Sequence, residues 1–232
     1  MPCKQKPDRV DATGRARAGS QRQLQTYVNY RRDEFSQKVL ASLASSLGPG
    51  AELNWVSPLE EDHFNEYRDG EFLEKLGLGS HEARLKQFWP LRGPCWDALA
   101  IVEGIDPHGV VLVEAKSHAS EMDSACRAGA ESRQKIEKAL AVTAEESFGT
   151  ESNSCWTGHY YQTANRYAHL HFLRKIAGVP SWLVNVYFVE DKRFPTTEAE
   201  WHAALEQARE RMGLSGKSLP LVSDLFVKAP NI

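Results

Sequence analysis

The run Trp182–Val189 (WLVNVYFV) constrains the fold more than any other stretch, because it is apolar at every position except Asn185. A strand with one wet face alternates apolar and polar residues. One that is apolar almost throughout is buried on both faces, and so belongs inside a sheet with helices on either side. At eight residues it falls far short of the roughly 20 needed to cross a bilayer.

The rest of the chain supplies such a sheet. Leu24, Val28, Phe35, Val39, Leu43 and Leu47 recur mostly four apart and predict one helix, stopped by Gly48-Pro49-Gly50. Leu53–Val56 reads as a short strand. Residues 59–80 form an acidic insertion with a short helix around Phe72, Leu73 and Leu76. Trp96–Glu103 and Val110–Glu114 flank a turn rich in Gly, Asp and Pro, which predicts an antiparallel hairpin. Helices are expected over Glu121–Phe148, over Tyr160–Ala177 up to Gly178-Val179-Pro180, and from Thr197 to about Met212. A last strand within Leu219–Val227 would add an edge. Helices and strands in this order predict an α/β fold, a sheet covered on both sides.

The 232 residues, 41% apolar and 25% charged, suit one domain with a full core. Residues 1–21 hold Pro2, Pro7, Gly14 and Gly19 with almost no large apolar side chains. They are expected to stay unpacked, leaving 22–232 as the domain. Residues 1–32 carry eight Lys and Arg against Asp8 and Asp11, within a chain of formal net charge −3. A basic arm therefore precedes an acidic body, and such an arm attracts polyanions. The first thirty residues have no apolar stretch suited to a secretion signal, so a cytosolic location is expected. Cys3, Cys95, Cys126 and Cys155 are too widely spaced for a zinc site and read as isolated, reduced thiols.

The chemistry is concentrated in Pro94-Cys95-Trp96-Asp97 and Val111-Leu112-Val113-Glu114-Ala115-Lys116. Glu114 and Lys116 stand two apart on a strand and share a face, while Ala115 faces the opposite side. In a hairpin Asp97 lies beside them, which places two carboxylates and an ammonium group together at a sheet edge. Burying them requires a counter-charge, and a divalent cation would provide one.

Asp97, a 17-residue interval and then Glu114-Ala115-Lys116 resemble the D…(D/E)xK signature of the PD-(D/E)xK nuclease superfamily. That superfamily's restriction-endonuclease-like core runs α-β-β-β-α-β around a mixed sheet flanked by helices, similar to the order from residue 24 to residue 189. Two departures stand out: Pro94 is three residues before Asp97 instead of adjacent, and residues 59–90 exceed the minimal core. Tyr67-Arg68-Asp69-Gly70 and Phe88-Trp89-Pro90 look like a bacterial branch that supplies no substrate.

The resemblance implies an Mg²⁺- or Mn²⁺-dependent nuclease acting on DNA, with Asp97, Glu114 and the Ala115 carbonyl as metal ligands. Lys116 would hold or deprotonate the attacking water. A further acid is expected from Glu34 on the first helix or Glu66 in the insertion. Gln162 is expected in the site, and Arg166 on a substrate phosphate. The competing expectation is a nuclease-like fold that binds nucleic acid or protein without cutting. His169 and His171, two apart on a helix, face different ways and are expected to pack instead of sharing an ion.

Overall fold

A computed structural model describes Cys3 and residues 8–230. Five strands form one mixed, open sheet in the order β1-β2-β3-β4-β5: β1 Glu52–Ser57, β2 Ala98–Glu103, β3 Gly109–Lys116, β4 Ser181–Val189 and β5 Val222–Lys228. The expected hairpin forms, with β2 antiparallel to β3 and Ala98 opposite Val113. Beyond it β4 and β5 run parallel to β3. The apolar run of β4 is interior and buried, as its composition requires. β3, however, is the central strand, so the carboxylates lie at a strand end in mid-sheet and not at the sheet edge expected from sequence.

Alternation along the strands divides the core in two. Leu99, Leu112 and Leu183 face one side, whereas Ala100, Val111, Val113, Val184 and Val186 face the other. The second side is covered by α1 (Gly19–Tyr30) and α2 (Arg32–Ser42). The first is covered by α3 (Asp69–Lys75), α4 (Glu82–Phe88), α5 (Ala130–Phe148), α6 (Ser154–Gly158), α7 (Tyr161–His171) and α8 (Glu198–Arg211). Gly109 opens β3 beneath Trp182, where an added Cβ would meet the indole at 2.5 Å and the Pro180 carbonyl oxygen at 2.9 Å. Among the described residues no helix is long and apolar enough to cross a membrane.

Three expectations are corrected. The single helix over 24–47 is two, broken at Arg31. α1 is tied to the end of β5 by the Tyr27 hydroxyl donating to the Lys228 carbonyl, while α2 is tied to β1 by Trp55 Nε1 donating to Ser36 Oγ. These anchors lie on strands at opposite edges of a twisted sheet, which a single straight helix does not follow. The helix expected from Glu121 starts at Ala130, because the Ser124 and Cys126 N–H groups donate to the His159 and Thr157 carbonyls instead.

The third correction concerns residues 8–21, which pack. Asp11 accepts the Thr13 and Arg15 N–H groups, Val10 pairs with Ala16, and the Gln25 side chain accepts the Ala16 N–H. Residues 1, 2 and 4–7 of the expected arm lie outside the described residues.

The cysteines match expectation only in part. Cys3 and Cys95 form a disulfide across 92 residues, their Cα atoms 6.3 Å apart, while Cys126 and Cys155 are free. Closing so long a loop constrains the unfolded chain by roughly 2–4 kcal/mol. Reductant is therefore expected to lower the melting temperature of the wild type and leave Cys95→Ser unmoved. Equal melting of the oxidised and reduced wild type would show that the link does not form.

Candidate active site

The three central residues come together because β2 begins where β3 ends. Asp97 immediately precedes β2, and its Oδ2 accepts the Ala115 N–H at 2.7 Å. Glu114 and Lys116 project from β3 toward α7, while Ala115 packs into the core under α1 and α2. Lys116 Nζ donates to Glu114 Oε1 and to Gln162 Oε1, both at 3.0 Å. Gln162, in the first turn of α7, thus holds the lysine from the opposite side.

Arg166, one turn further along α7, is turned inward. Its Nε donates to Glu114 Oε2 at 2.7 Å, with a second ion-pair contact from Nη2 to the same oxygen. Nη2 also donates to the Cys95 carbonyl at 2.8 Å, and the guanidinium lies over the Trp96 ring. Only 4% exposed, it pairs with a carboxylate and is not placed on a substrate phosphate as expected. Glu114 is thereby gripped by two buried cations.

Of the two further acids, the structure brings in Glu66 and excludes Glu34. Glu66 is buried beside Cys95, whose Sγ lies 3.7 Å from Glu66 Oε2, and Gln21 Nε2 donates to its Oε1 at 2.8 Å. Glu34 falls on α2 beyond the break at Arg31, where it is solvated and paired with Arg31 and Lys38. His169 and His171 behave as expected. His169 packs among Phe72, Trp89 and Trp96 with Nδ1 on the Asn165 carbonyl, and burial drives its pKa down to about 3. Trp89, Trp156, Trp182 and Phe188 are all core.

Three carboxylates, Asp97, Glu114 and Glu66, lie with Lys116 and Arg166, and the charge of Arg68 also reaches Glu66. Burial would raise Glu114, but Arg166 and Lys116 outweigh it and hold the carboxyl below its ordinary range. Burial, then the charges of Glu114 and Glu66, lift Asp97 well above the usual range. Burial also lifts Glu66 to about 7, with the Gln21 hydrogen bond opposing and the Glu114 charge adding to the rise. Among the described residues no three His, Cys, Asp or Glu side chains form a group that could hold a metal ion. In this arrangement Lys116 and Arg166 occupy the Glu114 oxygens a metal would take. The Ala115 group that meets Asp97 is its N–H, not the carbonyl expected as a ligand.

A carboxyl raised from 4.5 to about 7 on folding binds its proton more tightly in the native state. Its contribution to stability is therefore lost as pH rises through that interval. His169 acts in the opposite sense below about 6.5, so the useful comparison is wild type against Glu66→Gln at each pH, where the histidine terms cancel. Glu66→Gln is expected to gain stability relative to wild type as pH rises from about 4.5 to about 7, then level off. A difference that does not change with pH would show that Glu66 is not held protonated.

Sequence reasoning missed a polar chain behind the site. Ser117 Oγ donates to Gln23 Oε1 at 3.0 Å, and Gln23 Nε2 donates to Asp191 Oδ2. Gln21 falls within the arm expected to stay unpacked and Gln23 outside the apolar stripe that begins at Leu24, and their partners lie 45 and 168 residues away. Only Asp191, a turn former leaving the strongest strand, carried a local signal. No family model matches the chain, and neither a curated protein nor a solved structure does.

Proposed function

We propose that the protein is a metal-dependent nuclease of the PD-(D/E)xK, restriction-endonuclease-like kind, hydrolysing phosphodiester bonds in DNA. The observation that carries this reading is a buried Glu114–Lys116 pair at the end of the central strand, beside Asp97 and held by Gln162. The order α1/α2, β1, β2, β3, α7, β4 supports it, since it parallels the α-β-β-β-α-β core that the signature resembles.

Asp97 and Glu114 would hold an Mg²⁺ or Mn²⁺ ion, and a divalent cation would offset the burial, and the neighbouring negative charge, that raise the Asp97 and Glu66 carboxyls. When bound, such an ion supplies charge stabilisation to the scissile phosphate and lowers the pKa of water. Lys116 Nζ, oriented by Gln162, positions the attacking water and stabilises negative charge on the phosphoryl oxygens. Arg166 fixes Glu114. By analogy the products carry a 5′-phosphate and a 3′-hydroxyl.

A second reading is a nuclease-like fold that binds without cutting. It is favoured by the double neutralisation of Glu114 by Lys116 and Arg166 and by the lack of a gathered metal group among the described residues. Incubating the purified chain with single- and double-stranded DNA in Mg²⁺, Mn²⁺ or EDTA separates the two. Metal-stimulated cleavage that is absent in EDTA supports the enzyme. Salt-sensitive binding without turnover in either metal supports the binding module.

A further inference from the structure

Between the start of α1 and the loop leaving β4 lies a cleft of about 540 Å³. Its inner wall includes Gln21, which is bonded to Glu66, and Ser117, which follows Lys116. Gln21 and Ser117 therefore link the cleft to the acid cluster, although no residue of the cluster itself lines it. Its outer wall carries Arg9, Arg17 and Arg193 with the ring pair His118 and Phe194, whose centroids are 4.9 Å apart.

Phe194 is 55% exposed, although burying a phenylalanine is worth about 1.5–3 kcal/mol. It is held out by a built support. Buried Asp191 accepts the N–H groups of Arg193 at 2.6 Å and Phe194 at 3.3 Å through Oδ1, and the Gln23 amide through Oδ2. Gln23 in turn accepts from Ser117 Oγ. The loop that presents the ring is thus braced, through two buried side chains, against the residue after the lysine.

The acids of the cleft are mostly engaged. Glu121 takes the Ser117 N–H at 3.2 Å and lies 3.0 Å from His118 Nε2, and Asp191 is committed to the loop. Glu121 and Asp191 keep their charges but spend both oxygens on those partners, so that the three guanidinium groups and Asp8 are the charged groups of the lining left to a ligand.

We propose that this cleft binds single-stranded nucleic acid, its phosphates drawn by Arg9, Arg17 and Arg193 and one unstacked base laid on Phe194. The proposal rests on reading the acid cluster as a phosphodiester-cleaving site, and it names the form of the substrate. An aromatic ring on a cleft wall reads only a base free of its stack, and bases in a duplex are already stacked on one another.

The test is fluorescence anisotropy of labelled oligothymidylate and of a duplex of equal length in EDTA, where binding proceeds without cleavage. The single strand should bind more tightly. Phe194→Ala should weaken it by about five- to a hundredfold, the range of one base–aromatic stack, with the salt slope unchanged. Phe194→Tyr should restore it. Arg193→Ala should reduce the slope of log affinity against log salt by about 0.7, the contribution of one phosphate contact on a single strand. Equal affinity in wild type and Phe194→Ala, a preference for the duplex, or no binding of either overturns the proposal. Binding that meets these expectations without cleavage in Mg²⁺ or Mn²⁺ overturns the nuclease reading and leaves the cleft. Cleavage with unchanged binding in Phe194→Ala does the reverse.

Discussion

Glu114→Ala is expected to lower the unfolding free energy by about 3–5 kcal/mol, the cost of leaving a buried ionic group without its partner. Glu114 is 6% exposed and is the counter-charge of two cations, Lys116 and Arg166, each 4% exposed. Without it, the ammonium and guanidinium keep Gln162, Asn165 and the Cys95 carbonyl as direct acceptors, and the acids left near them, Asp97 and Glu66, are pushed by burial toward the neutral form. Denaturant unfolding measures the loss. Arg166→Met made in the Glu114→Ala background should recover part of it, because it removes one uncompensated charge. If Glu114→Ala unfolds at the wild-type denaturant concentration, the buried charge cluster described above is not present in solution.

Lys116→Met is expected to reduce cleavage by about 10²–10⁴-fold, the usual contribution of a positioned proton-transfer or charge-stabilising group. Methionine fills a similar length without the charge, and Arg166 still compensates Glu114, so the fold should survive. The loss should fall on kcat with KM little changed, since the interaction removed acts on charge that develops during reaction. The readout is single-turnover cleavage of labelled DNA in Mn²⁺. A rate within a few-fold of wild type sinks the assignment of Lys116, while uncut DNA in the wild type itself would favour the binding module.

The parts of the site legible in the sequence were those with short-range periodicity. Two residues apart on a strand fixes a shared face, and a Gly/Asp/Pro turn brings the neighbouring strand alongside, so Asp97, Glu114 and Lys116 could be grouped from spacing alone. Gln162 was expected only from the resemblance to the nuclease superfamily and not from periodicity; the structure places it on Lys116. Glu34 was misplaced because its position assumed an unbroken helix, and the break at Arg31 depends on anchors to Lys228 and Ser36 that no local pattern announces. Arg166 was expected on a substrate phosphate, whereas its direction depends on Cys95 and Trp96, contributed by a distant segment. The Cys3–Cys95 link and the Gln21–Glu66 contact span 92 and 45 residues, beyond any periodicity.

The central position of β3 also has a consequence for how the chain folds. β2 and β3 meet through a short hairpin, a local event that aligns Asp97 with Ala115 early. Arg166 and Gln162, however, sit on the crossover from β3 to its parallel neighbour β4, and parallel pairing must wait for that long loop to close. Asp97, Glu114 and Lys116 are thus gathered before Arg166, the second cation, is locked in place. The closing of β4 onto β3 is then the event that completes the compensation of Glu114.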